Sequence, residues 1–284
     1  ALTVSDEITS ANLADLNTLL SRTTGVVTAT VAADTASALN GALTGTSATD
    51  ALSLTIAAEA SSAPTLASHL IALAGKTSVP VAVPDSVMSI SGTAEELQVL
   101  YTLGATEITG LGSENVTITG PNPHASVANA VALLTTGTVT ATLATSGATA
   151  LNGALTEGAG NAYTMTVGSL SSPTVSAAMG TLNLLNPKTS VDITVTQVAE
   201  LVGTQAELTT LLGSATSLDD AAGFGTFATN TSIILTGTVT AEQANAAAGL
   251  TKGTGTLTAT VAADTAANLV TATTGLDGDA VTFT

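Results

Sequence analysis

The sequence predicts an α/β fold, a repeat solenoid of strand–helix units with one parallel β-sheet covered by helices on one face. Three observations predict it. Segments recur at a long period, short extended segments alternate apolar with threonine, and helix-period stretches with capped starts lie between them.

The recurrence comes first because it sets the architecture. Thr28-Ala-Thr-Val31, followed by Leu39-Asn-Gly-Ala-Leu43, returns as Thr140-Ala-Thr-Leu143 with Leu151-Asn-Gly-Ala-Leu155, and again as Thr258-Ala-Thr-Val261 with Leu269. Lys76-Thr-Ser-Val79 returns as Lys188-Thr-Ser-Val191. Repetition of this kind marks a stacked array, in which each unit buries its apolar face against its neighbours. Long repeats fall at about 26–137 and 138–255, with partial ones at 1–25 and 256–284. A single continuous array over 1–284 is expected, read as an excerpt of a longer protein.

The strands follow from period-two alternation. Val27, Ala29 and Val31 face one way while Thr28 and Thr30 face the other. The pattern returns at Leu52/Leu54/Ile56, Val116/Ile118, Val139/Ala141/Leu143, Tyr163/Met165/Val167, Val191/Ile193/Val195, Leu257/Ala259/Val261 and Val281/Phe283. Such alternation means one buried and one wet face, and threonine, β-branched and polar, suits the wet one. Pro80 and Pro84 conflict with an internal ladder, so that unit is expected to be bulged or unpaired.

Helix starts are marked by Thr93-Ala-Glu-Glu96, Thr204-Gln-Ala-Glu207 and Thr240-Ala-Glu-Gln243, each a capping box. Gly25, Gly104, Gly137, Gly213 and Gly275 stand where helices should stop. The least regular stretch, Thr216 to Asn230, holds Phe224 and Phe227 and reads as an inserted surface loop that could serve binding or assembly.

Composition excludes several functions. Four Lys+Arg against 21 Asp+Glu give a net charge of −17, which repels nucleic acid and anionic lipid. Cysteine is absent, which removes disulfides, thiolate metal sites and a cysteine nucleophile. No apolar run approaches a membrane span, and the start of the sequence, with no basic stretch before an apolar one, is not expected to be a cleavable signal peptide. Aromatics make up 2%, with no tryptophan, which disfavours carbohydrate stacking.

Little points to chemistry. His69 and His124 lack partners at metal or triad spacing, so no catalytic residue is assigned and the chain is not expected to be an enzyme. Asp34 and Asp264 occupy equivalent positions, with Ser146 between, which fits helix capping better than calcium. No cofactor is expected. Calcium is possible, with Asp219, Asp220, Asp277 and Asp279 as its candidate ligands, being acidic and in turns. The exposed strand face, Thr28, Thr30, Thr138, Thr140, Thr142, Thr258 and Thr260, is the candidate binding or assembly surface.

The segment Val27 to Asn40, with Ile90-Ser-Gly-Thr-Ala-Glu-Glu-Leu97 and Val116-Thr-Ile-Thr-Gly120, resembles the Thr/Ala/Leu-rich repeats of giant secreted bacterial surface proteins. These include surface-layer and calcium-dependent adhesin-like chains, common in cyanobacteria. The resemblance implies an extracellular, cell-surface structural role. Self-association with copies of itself or flanking repeats is expected because exposed repeat ends favour stacking, and no membrane insertion is expected. The alternative is a binding module, either an adhesin repeat or an ice-binding Thr-x-Thr face.

Overall fold

A computed structural model of the chain describes residues 1–60, 63–156, 160–272, 274–276 and 278–284. It is α/β with parallel sheets. The elements run β1 (Leu2–Thr3), α1 (Leu13–Arg22), β2 (Val27–Thr30), α2 (Ala36–Ala42), β3 (Ala51–Ser53), β4 (Thr65–Leu66), α3 (Ala67–Ala74), β5 (Val81–Ala82), β6 (Ser89–Gly92), α4 (Ala94–Leu103), β7 (Ile108–Thr109) and β8 (Asn115–Ile118). They continue with α5 (Ala125–Ala132), β9 (Val139–Thr142), α6 (Ala148–Ala154), β10 (Ala162–Thr164), β11 (Val175–Ala178), α7 (Met179–Leu185), β12 (Val198–Gly203), α8 (Gln205–Leu212), β13 (Ser232–Val239), α9 (Ala241–Ala248), β14 (Leu257–Val261), α10 (Ala266–Ala272) and β15 (Ala280–Phe283).

Two compact units divide the chain, one of residues 1–123 and 127–141, the other of residues 124–126 and 142–284. In the first, parallel pairing is split into three ladders, ordered β1-β2-β3, β4-β6-β8-β9 and β5-β7. In the second, β11 to β15 pair in chain order as a five-stranded parallel sheet. Helices adjacent in sequence pack side by side, α2 on α3 on α4 in one unit and α6 on α7 on α8 in the other.

The expected single sheet is therefore divided. In the first unit the strands are only two to four residues long, and the chain turns between ladders. Gly110 makes one such turn at φ +89°, with its backbone so close to β5 that a Cβ would lie 1.9 Å from Val83 O. Only glycine fits there.

The alternation holds wherever the strand is covered. Val27, Ala29, Val31, Leu52, Leu54 and Ile56 are buried, while Thr28, Thr30 and Ser53 are exposed. The same division appears at Val139/Ala141/Leu143 against Thr140/Thr142, and at Leu257/Ala259/Val261 against Thr258. Two segments depart from it: Val191 is exposed, and on β15 Val281 is only half-buried and Phe283 exposed.

Pro80 and Pro84 do not unpair their strand. They flank β5, whose Val81 N–H donates to Glu107 O and Ala82 N–H to Leu54 O, both at 2.9 Å. A proline just outside the ladder removes no ladder donor.

All three capping boxes form. Thr93, Thr204 and Thr240 each accept from the N–H three residues on, and Glu96, Glu207 and Gln243 reach back to the cap N–H. The cap of α2 is Thr35 rather than Asp34, whose Oδ1 instead accepts the Thr35 N–H at 2.7 Å. Asp264 does the same for Thr265. Gly104 and Gly213 end helices as expected. Gly137 does something else: an added Cβ would sit 2.2 Å from Glu114 O, so it permits close passage of neighbouring backbones.

Candidate functional surface

The face with the most regular chemistry is the threonine side of the strands. Thr28, Thr30, Thr140, Thr142 and Thr258 are exposed, and Thr138 and Thr260 half-buried. Register decides how far they form rows. Thr238, Thr260 and Thr282 lie side by side across β13, β14 and β15, and Thr117 lies beside Thr140. The adjacent row on the same sheet reads Ile234, Thr258, Ala280, and on β2 and β3 Thr28 meets Ala51 and Thr30 meets Ser53. The hydroxyls form short rows, not a lattice.

A second set of polar residues, which sequence spacing aligned without assigning a role, makes matching bonds in both units. Thr77 Oγ1 accepts the Leu52 N–H at 2.9 Å and donates to Leu52 O at 2.7 Å. Ser78 donates to Asp50 O through both its N–H, 2.7 Å, and its hydroxyl, 3.0 Å. Lys76 Nζ reaches back to the end of α2, donating to Asn40 O at 2.6 Å and Leu43 O at 2.7 Å. In the second unit Thr189 makes the same pair of bonds to Tyr163, 3.0 and 2.8 Å. Ser190 there donates twice to Asn161 O. Lys188 Nζ donates to Asn152 O at 2.7 Å and Leu155 O at 2.6 Å.

The Lys-Thr-Ser-Val segment is thus a staple. Its threonine hydroxyl extends the edge of one strand, and its lysine closes the carbonyl end of the helix before that strand. The ammonium satisfies acceptors that a helix terminus leaves open and complements its dipole. Desolvation by burial lowers the pKa of Lys76. The remaining lysine, Lys252, is fixed as well, bonding Phe227 O at 3.0 Å and Asp219 at 2.7 Å.

The carboxylates considered for calcium have other work. Asp219 pairs with Lys252 and accepts the Phe227 N–H at 2.9 Å. Burial would raise its pKa, but the Lys252 ammonium and the Phe227 N–H outweigh that and hold it below the usual range. Asp220 accepts from Ser217 Oγ at 2.6 Å. Asp279 accepts the Leu257 N–H at 2.6 Å, the bond that Asp50 makes to Val27 in the first unit. Asp277 lies outside the described residues. Among the described residues no three acidic or imidazole groups converge on a point where they could hold a metal ion.

Phe224 and Phe227 are not offered for assembly. They are 4% and 1% exposed, with ring centroids 6.2 Å apart, and the Asp219–Lys252 pair pins the loop over them. The apolar cost of exposing two phenyl rings explains why an inserted loop folds back.

Other polar sites are structural. Glu114, 4% exposed, accepts from the Tyr101 hydroxyl and from the N–H groups of Gly112 and Ser113 at 2.9 and 3.0 Å. Burial, and then the neighbouring carboxylate, push the Tyr101 hydroxyl well above its ordinary pKa. His69 Nδ1 is buried without a partner, and His124 is exposed. Two shallow grooves occupy matching places in the units, with Ala32, Asp34, Ala38 and Ala42 in one and Ala144, Ser146, Ala150 and Ala154 in the other. Asp in one and Ser in its counterpart leave the pair no shared charge or nucleophile.

Comparisons with protein-family models, with curated proteins and with solved structures returned no match.

Proposed function

We propose that the chain is a structural, extracellular repeat segment of a bacterial cell-surface, surface-layer or fibre-forming protein. In this reading it is a solenoid that acts as a scaffold or assembles with copies of itself, and it is not an enzyme. The observation that carries the reading is the duplicated staple, in which Lys76, Thr77 and Ser78 and then Lys188, Thr189 and Ser190 make the same bonds to the preceding coil. A sequence that keeps side chains to fasten coil to coil is selected for length and stiffness, as in other arrays. The net charge of −17 keeps such an array soluble and repels nucleic acid. No described helix is long and apolar enough to cross a membrane.

An adhesin or ice-binding role finds less support, because Ile234, Ala51 and Ala280 interrupt the threonine rows. The test is negative-stain electron microscopy with light scattering across a concentration series, with calcium and with chelator. Concentration-dependent, ordered association is expected. Strictly monomeric particles under every condition would defeat the scaffold reading.

A further inference from the structure

One repeated motif serves neither strand nor cap. Asn40-Gly41 lies in the last turn of α2, and Asn152-Gly153 in the last turn of α6. The third copy of the repeat has Val270-Thr271 in its place. Glycine weakens a helix relative to alanine, and is kept in one where a close neighbour or a left-handed backbone demands it. Neither condition holds here. A Cβ added at Gly41 or Gly153 would meet nothing within 4 Å, and neither residue has a positive φ. Both glycines are exposed.

What glycine does allow is chemistry. With no side chain to obstruct it, the glycine nitrogen can reach the Cγ of the asparagine before it. A bond forms from that nitrogen to Cγ as its proton passes to solvent base, and the Cγ–Nδ2 bond breaks to release ammonia. Water then opens the five-membered imide at either carbonyl, leaving aspartate or isoaspartate. The helix blocks the first step. Helical ψ near about −42° turns the nitrogen away from Cγ, and its N–H is held in the i→i−4 ladder. Reaction waits for the last turn to unwind.

The staple resists unwinding at that turn. Lys76 Nζ holds Asn40 O at 2.6 Å and Leu43 O at 2.7 Å, one on each side of Gly41. Lys188 Nζ holds Asn152 O and Leu155 O around Gly153. Asn17 also grips the end of α2, donating to Ala42 O at 2.8 Å and accepting the Thr44 N–H at 2.9 Å. We propose that Asn40-Gly41 and Asn152-Gly153 are deamidation sites, and that the staple lysines set the rate at which each reacts. The closed fold keeps both amides intact, and loss of the ammonium frees the pair it spans. The modification consumes only water, and it adds a negative charge within the turn that the lysine holds.

The test incubates the full chain in mildly alkaline buffer and follows each site by peptide mass spectrometry, counting aspartate and isoaspartate together. In the folded parent both sites are expected to react at least about 10-fold more slowly than in the same chain unfolded in urea. Lys188→Met should speed Asn152 at least about 10-fold and leave Asn40 at the parent rate, and Lys76→Met should do the reverse. Asn17→Ala loosens the end of α2 without touching a lysine, and should also speed Asn40. Thr189→Val is the matched control. It removes the bonds to Tyr163 but none to α6, so Asn152 should keep the parent rate. Acceleration by Thr189→Val equal to that by Lys188→Met overturns the proposal, because general loosening then sets the rate. So does a Lys188→Met protein that keeps its circular dichroism and deamidates Asn152 no faster than the parent. Should Lys188→Met fail to fold, the half-buried Lys76 carries the same test through Asn40. Parent rates equal to those in urea overturn the proposal without any variant.

Discussion

Replacing Lys188 by methionine probes the staple most directly. The side chain stays unbranched, becomes one atom shorter and loses its charge. Lys188 is 7% exposed, and its ammonium makes two bonds, 2.7 Å to Asn152 O and 2.6 Å to Leu155 O. Hydrogen bonds from a charged donor contribute about 1.5–3 kcal/mol each, so the gross loss is roughly 3–6 kcal/mol. Methionine returns part of this because an ammonium no longer has to be desolvated. A net destabilisation of about 2–3 kcal/mol is expected, or a fall in Tm of roughly 4–12 °C at ~2–4 °C per kcal/mol. Urea unfolding followed by circular dichroism should show a lower midpoint with an unchanged slope. The Ser190 amide, bonded to Asn161 O, and the Tyr163 amide, bonded to Thr189 Oγ1, should lose exchange protection together. Lys76→Met should cost less, because Lys76 is only half-buried. A Lys188→Met protein within about 0.5 kcal/mol of the parent, the margin of an inert surface change, would refute the reasoning.

Tyr163→Phe should be neutral or stabilising by up to about 1–2 kcal/mol, since a buried hydroxyl without a partner costs that much. Its counterpart Leu52 carries no hydroxyl, and thermal melts decide the matter. Burial pushes the Tyr163 pKa up to about 12. This residue's contribution is therefore whole below the unfolded value near ~10 and lost as pH rises toward the folded one. Tyr163→Phe should flatten the alkaline limb of the stability curve. Thr93→Ala and Thr240→Ala each remove a capping-box hydroxyl and should cost ~1 kcal/mol by urea titration. Asp219→Asn breaks an ion pair with exposures of 21% and 39%, expected to contribute ~0.2–1 kcal/mol. The parent's advantage over it should be present above the ordinary aspartate pKa near ~4 and vanish as pH falls through the lower folded value. Acid titration of both proteins checks this.

The sequence was most legible where one residue type has one local use. A threonine followed three places on by Glu or Gln can satisfy its own helix start, and Thr93, Thr204 and Thr240 do so. Alternation likewise separated Leu52 from Ser53, because side-chain direction along a strand is fixed by geometry. Long-range partners were not legible. Nothing in Lys76 or Lys188 says that its ammonium will cross to a helix end 33 to 36 residues earlier. Their recurrence was visible, and it was the only available signal for the staple. Asp279 and Asp219 looked like cation ligands because turn carboxylates look alike until their N–H and lysine partners are known. Gly137 read as a helix stop for the same reason: close passage of Glu114 O leaves no mark in the local sequence.

Sequestering the lysines has a consequence for resistance to proteolysis. Proteases of the trypsin type cut only after lysine or arginine, and this chain contains four such residues. Lys76, Lys188 and Lys252 are each fastened to main-chain carbonyls, which leaves Arg22, at the exposed end of α1, as the accessible cleavage point. Digestion elsewhere must wait for local opening, so the fastening that holds helix ends and strands in place also hides the bonds a digestive enzyme would seek.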